Sequence, residues 1–128
     1  MRRVIAGIGC RRACPAEEIL DLLAEALEKA ALPADRLSGL ATAPLKRKEP
    51  GIAEAAARLG KPLEIVAQAD LLAAQSQVRG GSPRVLSATG LASIAEAAAL
   101  AAAAPDARLL LPRIQGPRAT CALAVSTS

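Results

Sequence analysis

Residues 3–29 read RVIAGIGCRRACPAEEILDLLAEALEK, and this stretch decides the fold. The run from Arg3 to Gly9 is short, apolar and rich in β-branched residues, which suits a strand. Pro15 then takes an early helical position, and Glu17 and Glu18 fall in the first turn, where the helix dipole favours anions. The helical pattern ends near Lys29. Ile19, Leu23, Ala26, Leu27 and Ala30 recur at spacings of three and four, giving the helix one apolar face to lay on a sheet. A strand followed by an amphipathic helix is the building unit of an α/β domain.

The rest of the chain repeats that alternation. Leu37 to Ala43 predicts a second strand, followed by Pro44, the basic run Lys46-Arg47-Lys48 and a helix launched by Pro50. Gly60 and Pro62 close that helix, whose buried stripe is Ile52, Ala55, Ala56 and Leu59. Leu63 to Ala67 reads as a third strand, Asp70 to Gln75 as one or two turns of helix, and Gln75 to Pro83, with Gly80 and Gly81, as a loop. Ser93-Ile94-Ala95-Glu96 has the form of a capping box opening a helix to about Ala104, which Pro105 and Asp106 end. Leu109 to Leu111 and Thr120 to Val125 are then two strands of an antiparallel hairpin. Its long basic tip holds Pro112, Arg113, Gly116, Pro117 and Arg118. The expected fold class is α/β: a three-layer α/β/α sandwich around a mixed sheet of about five strands, in one domain spanning residues 1–128.

Composition narrows the chemistry. The 128 residues carry a formal charge of +4, with 52% hydrophobic and 22% charged residues, so a packed core is expected rather than disorder. No His is present, which excludes Ser/His/Asp and Cys/His triads and ordinary His-ligated zinc or haem sites; no metal and no cofactor is expected. The absence of Phe, Trp and Tyr removes the stacking platforms of single-strand binders and RNA-recognition sheets, so nucleic acid is not the expected partner despite the basic balance. A small polycarboxylate or phosphate suits the excess of cations better. No run approaches the roughly 18 apolar residues of a membrane span, so no membrane association is expected. Three cysteines without a secretory pattern point to reduced thiols and a cytoplasmic protein.

In open α/β sheets ligands sit beyond the carboxyl ends of the strands. On that rule the loop Gly9-Cys10-Arg11-Arg12-Ala13-Cys14 and the loop holding Lys46, Arg47, Lys48 and Glu49 form a rim. If the hairpin tip joins them, Arg113 and Arg118 bring the cations at one mouth to seven. Arginine grips carboxylates through paired N–H donors, whereas either Arg11 or Arg12 taken alone is equally well a solvated surface charge. Gly7 and Gly9 form a G-x-G without the third glycine of the dinucleotide fingerprint, and a sharp strand-to-helix turn explains it more simply than a phosphate cradle. Cys10 and Cys14 lie near a helix N-terminus, which lowers a thiol pKa, but no base accompanies them and a buried or incidental thiol is the default. Glu49 is either an ionised acceptor or a helix starter. Glu96 is explained by its capping role, with ligand contact as the alternative. Thr89, Gly90 and Thr120 have turn and sheet roles as their simplest reading, with ligand contact, through the hydroxyls of the two threonines, as the other.

Four blocks in order carry a family resemblance: Gly7-Ile8-Gly9-Cys10-Arg11-Arg12 with Cys14-Pro15; Leu45-Lys46-Arg47-Lys48-Glu49-Pro50-Gly51; residues 89–100, TGLASIAEAAAL; and residues 116–122, GPRATCA. Together they resemble the CobE family of cobalamin biosynthesis, which is similar to the C-terminal domain of CbiG, the cobalt-precorrin-5A hydrolase. Ala13 departs from the glycine often found there, implying a less extended turn. The resemblance implies an α/β domain working on corrin-ring intermediates, which carry many acetate and propionate groups. It suggests a carrier or accessory factor that binds a precorrin or corrinoid through Gly9, Cys10, Arg11, Arg12, Lys46, Lys48, Thr89, Gly90, Arg113, Arg118 and Thr120. The alternative is a precorrin hydrolase of the CbiG type, with Glu49 or Glu96 as general acid/base and Thr89 or Thr120 orienting water. A third possibility is a subunit that docks on another enzyme of the corrin pathway.

Overall fold

The computed structural model describes residues 3–11, 13–44, 49–74, 94–104 and 106–126. Five strands form one mixed sheet in the order β3-β2-β1-β5-β4: β1 Val4–Cys10, β2 Leu37–Thr42, β3 Leu63–Ile65, β4 Ala107–Gln115 and β5 Ala119–Ser126. β1 runs parallel to β2, and β2 to β3, while β5 is antiparallel to both β1 and β4. The helices α1 (Ala16–Lys29), α2 (Pro50–Leu59), α3 (Gln68–Ala74) and α4 (Ile94–Ala103) lie on the two faces. The mixed α/β architecture with helices on both sides of five strands is the one expected. No helix among the described residues is long and apolar enough to cross a membrane.

Central β1 is buried on both sides, as a near-continuous apolar run demands. Val4, Ala6 and Ile8 meet Ile19, Leu23 and Leu27 of α1 and Ile52 of α2, whereas Ile5 faces the α3/α4 layer. α1 buries the predicted stripe of Ile19, Leu23, Ala26 and Leu27 together with Ala16 and Leu22. α2 begins at Pro50 and ends at Gly60. α4 is buried almost all round, with Ala95 to Leu100, Ala102 and Ala103 in the interior, so it has no solvated face for a 3.6-residue pattern to reveal.

Several boundaries differ from the expectation. β3 stops at Ile65 because the Ala67 carbonyl already accepts the N–H groups of Asp70 and Leu71, and α3 starts at Gln68. Gly7 and Gly9 lie inside β1 rather than in a turn. A Cβ on Gly7 would stand 1.9 Å from the Ala95 carbonyl oxygen, so this glycine lets α4 approach the sheet. The hairpin is antiparallel as predicted but its tip is short: Pro112 and Arg113 lie within β4, which extends to Gln115. An edge strand tolerates a proline at a bulge, and the β4–β5 register slips twice, between Leu109 and Leu111 and between Leu111 and Ile114. The predicted loop at 75–83 and Ser93 of the capping box lie outside the described residues.

Candidate functional site

Strand direction settles the question the sequence leaves open. β4 and β1 are both antiparallel to β5 and therefore run the same way, so the turn 116–118 sits at the end of the sheet where β1 finishes. The Arg11 N–H donates to the Arg118 carbonyl at 2.8 Å, joining the first loop to the hairpin tip. A further bond from the Cys14 N–H to the Arg11 carbonyl, 3.2 Å, closes a turn in which Ala13 adopts φ +62°, the left-handed region glycine enters freely. Glu49, at the N-cap position of α2, takes the Ala13 N–H on both carboxylate oxygens at 3.2 and 3.3 Å. Arg11, Ala13, Glu49 and Arg118 are thus drawn together across segments far apart in sequence.

The cations at this rim differ in what they already hold. The guanidinium of Arg118 donates through Nε and Nη2 to Glu18 Oε1, at 3.0 and 2.5 Å. That hydrogen bond holds the Glu18 carboxyl below the usual carboxylate range and raises the Arg118 pKa. The Arg11 side chain is exposed and has no ion pair among the described residues, so its donors face solvent. Arg113 is half-buried in β4, and its backbone N–H donates to Glu96 Oε2 at 2.8 Å. Arg12, Lys46, Lys48, Thr89 and Gly90, candidate ligand-binding residues by sequence, lie outside the described residues.

Across β1 and β5, Gly9 pairs with Thr120, and the Thr120 hydroxyl donates to the Gly9 carbonyl at 3.4 Å. A Cβ on Gly9 would stand 2.8 Å from that hydroxyl and about 4 Å from Ile94 of α4. The first turn of α4 therefore covers this part of the rim. Glu96 within it is fully buried. Cys10 is half-buried at the end of β1, and Cys14 and Cys121 are buried thiols. The Cys14 pKa is raised, first by burial and then by its hydrogen bond to Glu18, opposite to the lowering that proximity to a helix start suggests. Burial pushes Cys121 up to about 12. Neither is poised as a nucleophile.

The arrangement offers a cationic side-chain donor, Arg11, to an anion, while both candidate acid/base carboxyls accept bonds from backbone amides. A separate open hollow of about 390 Å³, lined by Asp70, Leu100 and Asp106 among others, lies at the far end of α4, away from the rim. Sequence reasoning missed the Glu18–Arg118 pair and the Glu96–Arg113 bond, whose partners stand 100 and 17 residues apart; no local spacing signals either.

Residues 4–124 match the family described as cobalamin synthesis G C-terminus. Protein CobE of Sinorhizobium sp is 35% identical over 121 residues, covering 94% of this chain and 79% of that protein. The crystal structure of CobE, from the cobalamin (vitamin B12) biosynthetic pathway, superposes with a TM-score of 0.91 at 38% identity, covering 97% of this chain and 90% of that one. The cobalamin biosynthesis protein chiG from Agrobacterium tumefaciens gives 0.78 at 37% identity, covering 98% and 99%. A cobalamin biosynthesis protein G homologue from Sulfolobus solfataricus, at 23% identity and 0.71, shares the fold over 98% of this chain and 37% of its own length.

Proposed function

We propose that this chain, which belongs to the cobalamin synthesis G C-terminus family and works in cobalamin biosynthesis, binds a polycarboxylated precorrin or corrinoid intermediate as a carrier or accessory factor. The observation that carries this reading is the junction of the Arg11 loop with the hairpin tip, which sets the exposed Arg11 guanidinium, without an ion pair among the described residues, beside Arg118 at one end of the sheet. Corrin-ring acetates and propionates suit such donors, since a guanidinium binds a carboxylate through two parallel N–H bonds. The macrocycle face would rest on aliphatic side chains, because the chain has no aromatic residue.

The carrier reading is favoured over the hydrolase because Glu49 and Glu96 both spend carboxyl oxygens on backbone N–H groups. A general base needs a lone pair directed at substrate or water. The test is titration of the full chain with cobyrinic acid, a corrin bearing free carboxylates, at low and high salt. Binding should weaken with salt, and Arg11→Ala should cost about twofold to fivefold in affinity, the range of one exposed ion pair. Arg118→Ala should cost less, because Glu18 already occupies that side chain. Salt-independent binding indifferent to Arg11→Ala would refute these contacts, and turnover of excess precorrin by substoichiometric protein would replace the carrier with an enzyme.

A further inference from the structure

In the β4–β5 ladder, Leu111 pairs with Leu123 and Ile114 with Cys121, so Pro112 and Arg113 together stand against the single residue Ala122. Such a two-for-one bulge drops a backbone N–H out of the ladder. Pro112 has none to lose; Arg113 does. A buried N–H without an acceptor is costly, and the acceptor comes from another layer of the fold: Glu96 Oε2 on α4, fully buried, at 2.8 Å.

The same device appears once more. In the β1–β2 ladder Val4 pairs with Leu37 and Ile5 with Gly39, leaving Ser38 extra, and Ser38 Oγ accepts the Val4 N–H at 3.1 Å. There the repair comes from the bulged strand itself. At Arg113 it comes from a carboxyl group on a helix, which ties the start of α4 to an edge strand. A carboxyl is a long reach and a strong acceptor, and its position in the first turn of α4 places both tied elements beside Thr120 and Gly9.

We infer that Glu96 is a positioning residue: by accepting the Arg113 N–H it fixes the β4 bulge and the first turn of α4 as one unit, so that Arg113 is held in register at the anion-binding rim. The acceptor oxygen does this work and proton transfer does not. Glutamine, which keeps a carbonyl oxygen at the same reach, should therefore substitute for it, and alanine should not. The ligand-binding part of this inference rests on the reading of the rim as a corrin-carboxylate site; the clamp itself does not.

The experiment combines amide hydrogen exchange with cobyrinic acid titration on wild type, Glu96→Gln, Glu96→Ala, Arg113→Ala and the Glu96→Ala/Arg113→Ala double variant. In wild type and Glu96→Gln the Arg113 amide should exchange slowly and affinity should agree within about twofold. Glu96→Ala should release that amide by at least about tenfold in rate, the expected signature of a lost protecting bond. It should also weaken ligand binding, by no more than Arg113→Ala does. Arg113→Ala keeps its backbone N–H, so the double variant should bind no worse than Arg113→Ala alone. Rapid exchange of Arg113 in the wild type overturns the clamp without any variant, which covers the case of Glu96→Ala failing to fold. A full further loss in the double variant, or loss of function in a folded Glu96→Gln, overturns the positioning role. If wild type binds no cobyrinic acid, the corrin-carboxylate reading fails, and the exchange data still decide the clamp.

Discussion

The two faces of the sheet are packed by opposite means. Under α1 and α2 the interior is built of large aliphatics: Ile8, Ile19, Leu23, Leu37, Leu40, Ile52 and Leu123 are all nearly or fully buried. Under α4 it is built mostly of alanine, with Ala97, Ala98, Ala99, Ala102 and Ala124 buried around Leu100 and Gly7 leaving room for the helix backbone itself. Large side chains stabilise through the area they remove from water, at roughly 25 cal/mol per Å². A glycine–alanine seam has little area per residue and depends on close approach, which suits a helix whose first turn must be held accurately beside a binding rim.

The contrast predicts different responses to substitution. The largest effect should come from adding one methyl group to the thin face. Gly7→Ala drives a Cβ into the Ala95 carbonyl, a clash with backbone that no rotamer relieves, and should cost about 4 kcal/mol or more in urea unfolding. On the thick face, removing most of a side chain should cost less: Leu23→Ala leaves a cavity under α1 and should destabilise by about 3 kcal/mol. If Gly7→Ala proves the milder of the two, α4 does not depend on close approach.

Alkali should act through the thick face. The Cys121 thiol is raised from 9.0 to about 12, so the unfolded chain gives up that proton first. The stability this thiol contributes is complete below pH 9 and is lost as pH rises toward 12, with about 2 kcal/mol gone near pH 10.5. Cys121→Ala should remove that part of the slope in pH-dependent denaturation. At the rim the effects are smaller. Ala13→Gly relieves a left-handed alanine and, after the entropy glycine adds to the unfolded chain, should stabilise by about 0.5 kcal/mol. The Glu18–Arg118 pair works in the other pH direction. A depressed carboxyl pKa contributes stability above its ordinary value of 4.5 that is lost as pH falls through the folded value, so Glu18→Gln should slightly flatten the acid limb of the denaturation profile.

The thick face was legible in the sequence, whereas the thin one showed its helices but not how they pack. The Ile19/Leu23/Ala26/Leu27 stripe, Pro15 and Pro50 at helix starts, and Gly60 at a helix end are local signals, and each element they predict is present. α4 itself is announced by Glu96 and by the stop at 105–106, and it is present over Ile94–Ala103, but its burial on all sides leaves no polar face to show how it docks, and the G-x-G that resembles a turn is a docking groove for that helix. The extension of β4 through Pro112 is hidden for a related reason: proline argues against strand unless a bulge is known to be present, and a bulge is a property of two paired strands. At the candidate site, the meeting of the Arg11–Ala13 loop with Glu49 follows from the rule about strand ends, but the inclusion of Arg118 required the direction of β4, and the internal partners of Arg118 and Glu96 required the packed fold.

The most direct test of the central claim is a residue-by-residue amide shift map of the full chain as cobyrinic acid is added. The rim account predicts that the largest changes fall on Arg11, Ala13, Arg113, Arg118 and Thr120, with Asp70 and Asp106 at the far end of α4 unchanged. Changes confined to the Asp70/Asp106 hollow, with the Arg11 and Arg118 amides unmoved at saturation, would contradict it.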